Sequence, residues 1–291
     1  MIRPRRSALY MPGSNARAIE KARSLPADAI MLDLEDSVAP DQKGSAREQV
    51  AAAVRAGGFG PREVVVRINA LNTDWGREDL AAAAAAGPDA ILLPKVSTPG
   101  DITMAARALV EAGAPERTRI WAMMETPLAI LNADSIARTA ADPAARLDVL
   151  IMGTNDIAKE TRARMVPGRG PMLSWLSTCV LAARAHGLDI LDGVYNELAD
   201  PEGLQSECAQ GRDLGMDGKT LIHPNQIAIA NEIFAPPDAE VEWARRILAA
   251  FDLPENASRG AISLEGKMVE RLHAVMARRT IAIAEAVAGR D

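Results

Sequence analysis

Eight short apolar runs, separated by segments of helical character, constrain this chain more than any other feature. They are Ser7–Pro12, Ala29–Asp36, Glu63–Asn69, Ala90–Val96, Arg119–Thr126, Val149–Asp156, Asp189–Tyr195 and Gly218–Pro224. Each is apolar at successive rather than alternate positions, as expected of a parallel strand covered on both faces. The stretches Asn15–Leu25, Lys43–Ala56, Arg77–Ala86, Asp101–Ala112 and Met172–Gly187 between them are rich in Ala, Glu and Arg at helical spacing. Strands alternating with helices imply right-handed βαβ units. Eight such units in roughly 225 residues match a (β/α)8 TIM barrel, typically about 250 residues long. The rival is a doubly wound open sheet. It is less favoured because Gly13 stands alone after the first run and no G-x-G-x-x-G follows it.

The expected organisation is a catalytic barrel over 1–235 and a C-terminal helical extension over 236–291. The extension carries helical segments at Ala239–Phe251 and Lys267–Val287, joined by a Pro/Asn/Ser/Gly stretch at Leu253–Ala261. It is short for an independent domain, so it is expected to pack on the barrel or reach a neighbouring subunit.

Composition narrows the function. Hydrophobic residues make up 48% and charged residues 25%, which argues against disorder. Charge interrupts every apolar run too early for a membrane helix of about 20 residues, and the basic start is no secretory signal. Thirty-three basic against 39 acidic residues give a net charge of −6, which disfavours nucleic-acid binding as the main task. Cys179 and Cys208 stand alone, form no framework and suit a reducing cytoplasm. Three histidines are too few for a His-rich metal centre, so a metal would sit on carboxylates.

The active site of such a barrel lies at the C-terminal ends of the strands, and nearly every run here ends in polar residues. In order they are Asp33-Leu34-Glu35-Asp36, Arg67-Ile68-Asn69, Pro94-Lys95, Glu125-Thr126, Gly153-Thr154-Asn155-Asp156, Asp192-Gly193 with Asn196 and Glu197 beyond, and His223-Pro224. Any one of these could be a solvated loop residue or a helix cap; Asp156 could cap a helix starting near Ile157. Glu125 is harder to dismiss, because a lone carboxylate after Trp121-Ala122-Met123-Met124 costs free energy unless it is paired or bound to a cation. Glu125 and Asp156, on adjacent strand ends, are therefore the expected ligands of a hard divalent ion, Mg²⁺ with Mn²⁺ as the alternative. Glu35 and Asp36 could hold metal-bound water. Arg67 offers a planar fork for a carboxylate or polarised carbonyl. The backbone of Gly153, Thr154 and Asn155 opens a helix and can receive an anion. A small 2-oxo acid fits this arrangement, with the metal and Arg67 stabilising an enolate. His223 reads as a structural residue closing the last strand at least as readily as a base. His186 reads as a helix C-terminal residue, and the cysteines read as packing residues.

At this point the motifs resemble a known family. Arg6-Ser7-Ala8-Leu9-Tyr10-Met11-Pro12-Gly13, Leu32-Asp33-Leu34-Glu35-Asp36-Ser37-Val38-Ala39-Pro40 with Lys43 and Arg47, and Val66-Arg67-Ile68-Asn69 resemble those of the citrate lyase β-subunit-like group of the HpcH/HpaI aldolase superfamily. Glu125-Thr126, Gly153-Thr154-Asn155-Asp156 and Gly218-Lys219-Thr220-Leu221-Ile222-His223-Pro224 follow in the family's order. That group includes malyl-CoA, β-methylmalyl-CoA and citramalyl-CoA lyases. The resemblance implies Mg²⁺ on Glu125 and Asp156, Arg67 on the substrate oxygens, and Glu35 and Asp36 on metal-bound water. It further implies a CoA thioester near Arg6, Tyr10, Pro12 and Lys95, a homotrimer or homohexamer, and a C-terminal lid. In the malyl- and citramalyl-CoA lyases the lid carries an acid/base Asp in a pattern like G-x-M-[IV]-D. The matching run here is Gly266-Lys267-Met268-Val269-Glu270, which makes Glu270 the expected replacement, one methylene longer. The implied activity is Mg²⁺-dependent cleavage of a 3-hydroxy-3-carboxyacyl-CoA to an acyl-CoA and glyoxylate or pyruvate. The alternatives are a malyl-CoA-type thioesterase on the same site and a citrate-lyase-like β subunit that needs an acyl-carrier partner.

Overall fold

The computed structural model describes residues 3–289. Eight parallel strands close into a barrel in sequence order. They are β1 (Ser7–Pro12), β2 (Ala29–Asp33), β3 (Glu63–Arg67), β4 (Ala90–Leu93), β5 (Arg119–Met124), β6 (Leu147–Met152), β7 (Asp189–Asp192) and β8 (Gly218–Leu221). β1 pairs with both β2 and β8, Leu9 lying opposite Ile30 on one side and Leu221 on the other. Helices α1 (Ala16–Ala22), α2 (Lys43–Ala56), α3 (Gly76–Ala86), α4 (Pro99–Glu111), α5 (Pro127–Leu131), α6 (Ala133–Ala137), α7 (Thr154–Thr161), α8 (Leu173–Ala185) and α9 (Pro201–Leu214) fill the connections. The chain is thus a (β/α)8 barrel.

The barrel interior is filled by alternate residues of its strands, among them Ala8, Ala29, Met31, Val65, Leu92, Trp121, Met123, Val149 and Ile151. Side chains alternate across a strand. The next inward positions after Met31, Val65, Met123 and Ile151 are therefore Asp33, Arg67, Glu125 and Gly153. The packed interior ends one step further along the same face of four strands, in a charged residue on three of them and in Gly153 on the fourth.

The apolar runs overshoot the strands, because their last residues turn out of the barrel as loops: β2 stops at Asp33, β3 at Arg67, β4 at Leu93 and β6 at Met152. Asp156 does not cap a helix starting near Ile157; α7 already begins at Thr154, so Asp156 lies in its first turn.

The described residues divide into two compact units, one over Arg5–Asn231 and the other formed by residues 3–4 and 232–289. The division falls inside α10 (Ile227–Phe234). The second unit holds α11 (Asp238–Asp252), an antiparallel hairpin of β9 (Ala261–Leu264) and β10 (Lys267–Glu270), and α12 (Arg271–Ala288). Its core gathers Ala244, Ile247, Phe251, Ile262, Val269, Ala274 and Ala277. Lys267–Glu270 is thus a strand and not the start of the last helix. Glu265 and Gly266 both have positive φ, 50° and 79°, the pairing that a two-residue hairpin turn requires. No helix among the described residues is long and apolar enough to cross a membrane.

Candidate active site

A cavity of about 310 Å³ opens at the C-terminal ends of the strands, lined by Tyr10, Arg67, Glu125, Thr154 and Asp156 among others. Two charged groups form its walls.

The first is built on β2 and β3. Asp33 is fully buried and takes Arg67 in a two-point grip, Nε to Oδ1 at 2.6 Å and Nη2 to Oδ2 at 2.7 Å. Such fork-to-carboxylate pairs are among the stronger hydrogen bonds. Backbone N–H groups of Glu35 and Ser37 also donate to Asp33, at 2.9 and 3.0 Å, so it shapes the loop that carries Glu35 and Asp36. Burial works to raise the Asp33 pKa, but the Arg67 charge and these hydrogen bonds hold it below its ordinary value. Nη1 of Arg67 lies 3.0 Å from Glu35 Oε2 and 3.1 Å from Asp36 Oδ2, and the guanidinium sits 4.6 Å over the Tyr10 ring. Burial, together with the charges of Asp36, Glu125 and Asp33, pushes the Glu35 carboxyl up to about 8 against the opposing pull of Arg67. Below the loop, Lys43 Nζ donates to the carbonyls of Leu34 and Glu35 and to Asn69 Oδ1, at 2.7–2.8 Å, tying β2 to β3.

The second group is built on β4, β5 and β6. Glu125 is 2% exposed. It accepts the Lys95 backbone N–H on Oε1 at 2.7 Å, and Lys95 Nζ stands 3.7 Å from its Oε2. The same ammonium is hydrogen-bonded to Asp156 Oδ1. Burial and the Asp156 charge push the Glu125 carboxyl up to about 7 despite Lys95. Gly153 is required here by close approach: a Cβ at this position would lie 2.3 Å from Glu125 Cβ. Beside it the Thr154 hydroxyl is buried without a hydrogen-bond partner.

The donor chemistry fits a hard divalent cation. Glu125 and Asp156 offer only oxygen, the orphaned Thr154 hydroxyl belongs to the same cavity lining, and a cationic ammonium already lies between the two carboxylates. Among the described residues no three His, Cys, Asp or Glu side chains converge in a way that could hold a metal ion, so a metal on Glu125 and Asp156 would take its remaining ligands from water and substrate, as Mg²⁺ commonly does.

The structure brings together Tyr10, Asp36, Arg67, Glu125, Gly153, Thr154, Asn155 and Asp156 around one cavity. Asn155 exchanges amide hydrogen bonds with Asn196, at 3.2 and 2.8 Å. Pro12 ends β1 at the same rim, and Lys95 is engaged with the carboxylate pair. Arg6 is elsewhere. It precedes β1, lies at the opposite end of the barrel, and is paired to Asp28 through Nε at 2.8 Å and Nη2 at 3.0 Å. It therefore does not reach the cavity. Glu270 belongs to the C-terminal unit, where it is the N-cap residue of α12 and its N–H donates to His273 Nδ1 at 2.9 Å. His223 accepts the Asn225 N–H on Nδ1, which makes it a capping residue, and His186 pairs with Asp134 at the end of α8. Cys179 and Cys208 are buried and free.

Two features have no role in the sequence reading. Asp33 holds Arg67, and its inward register after Met31 was the available signal. A buried ionic network also joins β7 and β8 to α9: Asp192 accepts Arg169 Nη1 at 2.6 Å and Lys219 Nζ at 3.0 Å, and Lys219 also reaches Glu207 at 2.6 Å. Burial opposes the ionised form of Asp192, yet Lys219 and Arg169 hold its pKa below the ordinary value.

Comparison with known proteins identifies the family. Residues 6–224 match the family model described as HpcH/HpaI aldolase/citrate lyase. A (3S)-malyl-CoA thioesterase of Cereibacter sphaeroides is 53% identical over 98% of this chain and 96% of its own length. The citrate lyase subunit beta of Escherichia coli is 35% identical over 92% and 89%. The structure of CitE from Mycobacterium tuberculosis in complex with magnesium, acetoacetate and coenzyme A superposes with a TM-score of 0.76 at 32% identity, covering 97% of this chain and 98% of that one. With its barrel, its rim of charged strand ends and these relatives, the chain belongs to the HpcH/HpaI aldolase/citrate lyase family.

Proposed function

We propose that this protein is a Mg²⁺-dependent enzyme acting on a malyl-CoA-type ester, and that its reaction is hydrolysis of the (3S)-malyl-CoA thioester. The facing of Arg67 and the Glu125–Asp156 pair across one cavity carries the substrate class. The likeness to (3S)-malyl-CoA thioesterases along nearly the whole chain favours hydrolysis.

In this reading Glu125 and Asp156 would hold Mg²⁺, which when bound supplies a Lewis acid that polarises substrate oxygens. Arg67, fixed by Asp33, binds and orients the carboxylate of the malyl group. The Thr154 hydroxyl and the Asn155 amide receive its remaining oxygens. Glu35, beside Arg67, would carry the proton: its ionised form takes one from water and returns it to the leaving sulfur. Water oxygen joins the thioester carbon, the C–S bond breaks, and malate and CoA leave. Tyr10, kept neutral by burial, packs under Arg67 and excludes water from that face.

Carbon–carbon cleavage is the second reading, favoured by the citrate lyase relatives and by an arrangement equally suited to an oxo acid and an enolate. In that reaction Glu270 would be the acid that protonates the acyl-CoA carbon. β-Methylmalyl- and citramalyl-CoA are the further substrates to try.

The test is mass-spectrometric product analysis of purified protein with (3S)-malyl-CoA and Mg²⁺, with and without EDTA. Metal-dependent release of malate and free CoA is expected. Acetyl-CoA and glyoxylate would replace hydrolysis with cleavage. No turnover of any of the three esters would overturn the substrate class, and full activity in Glu125→Ala would overturn the site assignment.

A further inference from the structure

We propose that Lys95 is the built-in counter-cation of the Glu125–Asp156 pair, and that a divalent metal ion enters the site by displacing its ammonium. The inference rests on the reading of those two carboxylates as metal ligands.

Lys95 directly follows Pro94 at the end of β4, with φ of +55°. Side-chain-bearing residues rarely adopt this left-handed backbone. Its effect here is to turn both ends of one residue toward one target. The backbone N–H meets Glu125 Oε1 at 2.7 Å, and the ammonium is hydrogen-bonded to Asp156 Oδ1 while standing 3.7 Å from Glu125 Oε2. The ammonium thus hydrogen-bonds one carboxylate and stands within ion-pair distance of the other, occupying the space between the two groups that would hold a metal. Two carboxylates this close, one of them 2% exposed, repel each other unless a cation or a proton intervenes.

The ammonium and a divalent ion compete for the same oxygens and repel one another, so one replaces the other. The exchange keeps the pair in its binding arrangement before metal arrives. It sets the metal affinity below that of a bare pair, and it frees an ammonium at the rim of the cavity. Lys95 is in this sense a positioning residue for the metal ligands.

The experiment is calorimetric titration of Mg²⁺ into the wild-type protein and into Lys95→Gly. Glycine removes the ammonium, keeps the N–H that meets Glu125, and adopts the left-handed backbone without strain. The variant should bind Mg²⁺ about tenfold more tightly, the factor that roughly 1.4 kcal/mol represents. In a second measurement on the wild-type protein, acetylation of the Lys95 amine by acetic anhydride, followed by mass spectrometry, should rise when Mg²⁺ is added. If the wild-type binds Mg²⁺ while Lys95→Gly binds it equally or more weakly, the exchange is overturned, as it is if Mg²⁺ leaves Lys95 acetylation unchanged or lowers it. If the wild-type itself binds no Mg²⁺, the metal reading fails and the exchange fails with it.

Discussion

Replacing Asp33 by Asn tests whether Arg67 is held in place or merely present. Asp33 is fully buried and Arg67 is 8% exposed, and two charge-assisted hydrogen bonds of 2.6 and 2.7 Å join them. Removing one partner of a buried pair costs about 3–5 kcal/mol, because the other charge is left uncompensated. Arg67 keeps Glu35 and Asp36 on Nη1, so the lower end, about 3 kcal/mol, applies. The asparagine amide also sets an N–H₂ against Nε or Nη2, a donor facing a donor. For a barrel of this size each kcal/mol moves the Tm by about 2–4 °C, which predicts a fall of roughly 6–12 °C by calorimetry. A displacement of about 1 Å in a positioned group can cost on the order of 10²-fold in rate, so kcat/KM should drop by that order in protein that is still folded. The pH dependence separates this account from general destabilisation. The folded-state pKa of Asp33 lies below its ordinary 3.8. Its contribution is therefore present above that value and is lost as pH falls through the folded pKa, so the Tm difference between wild-type and variant should narrow below about pH 4. A variant with wild-type Tm and wild-type kcat/KM at pH 7 would refute the reasoning.

Mg²⁺ affinity, measured by titration at several pH values, should fall as pH drops below about 7. The raised pKa of Glu125 makes protons compete with metal there, and an affinity flat between pH 6 and 8 would contradict this. In the metal-free protein the same shift has the opposite sense for stability: the contribution of Glu125 is full below its unfolded value near 4.5 and is lost as pH rises through 7. Gly153→Ala should weaken Mg²⁺ binding by at least about tenfold, because its Cβ would sit 2.3 Å from Glu125 Cβ and must push that side chain away; unchanged binding would show that the contact yields freely. Asp192→Asn should cost about 3–5 kcal/mol in urea unfolding, since it strands the buried Lys219 and Arg169, while the folded fraction should keep its Mg²⁺ affinity.

The barrel was legible because parallel strands covered on both faces leave continuous apolar runs, and because each run carried its polar residues on one end. The charged lining of the candidate site was legible for the same reason: Arg67 and Glu125 are the inward positions that follow Val65 and Met123. Arg6 was misplaced although the sequence held the correction. It precedes the first run, and in a parallel barrel that end lies opposite the charged rim. Lys267–Glu270 read as helix because four residues carry little periodicity, and the turn back as a hairpin shows in the positive φ values of Glu265 and Gly266 and in the β9–β10 pairing. The left-handed backbone of Lys95 could not be read, since nothing local favours it; its partners Glu125 and Asp156 lie 30 or more residues away. The Asp192–Lys219 pair was equally hidden, because the two residues, 27 apart, meet on the outer faces of β7 and β8 only when those strands pair and α9 covers them.

The charge balance of the cavity ties these pieces together. Asp33, Glu35, Asp36, Glu125 and Asp156 set five carboxylates around two cations, Arg67 and Lys95. Fully ionised, these groups would carry an excess of three negative charges and repel a substrate that is itself an anion. Burial, aided by the neighbouring carboxylates, raises Glu35 to about 8 and Glu125 to about 7, so protons take up part of that excess. A divalent cation relieves the same excess more strongly, at the one place where two carboxylates converge without a guanidinium between them. Metal, protons and the Lys95 ammonium are therefore alternatives for one electrostatic need, and the affinity for an anionic ester should follow whichever of them holds the Glu125–Asp156 pair.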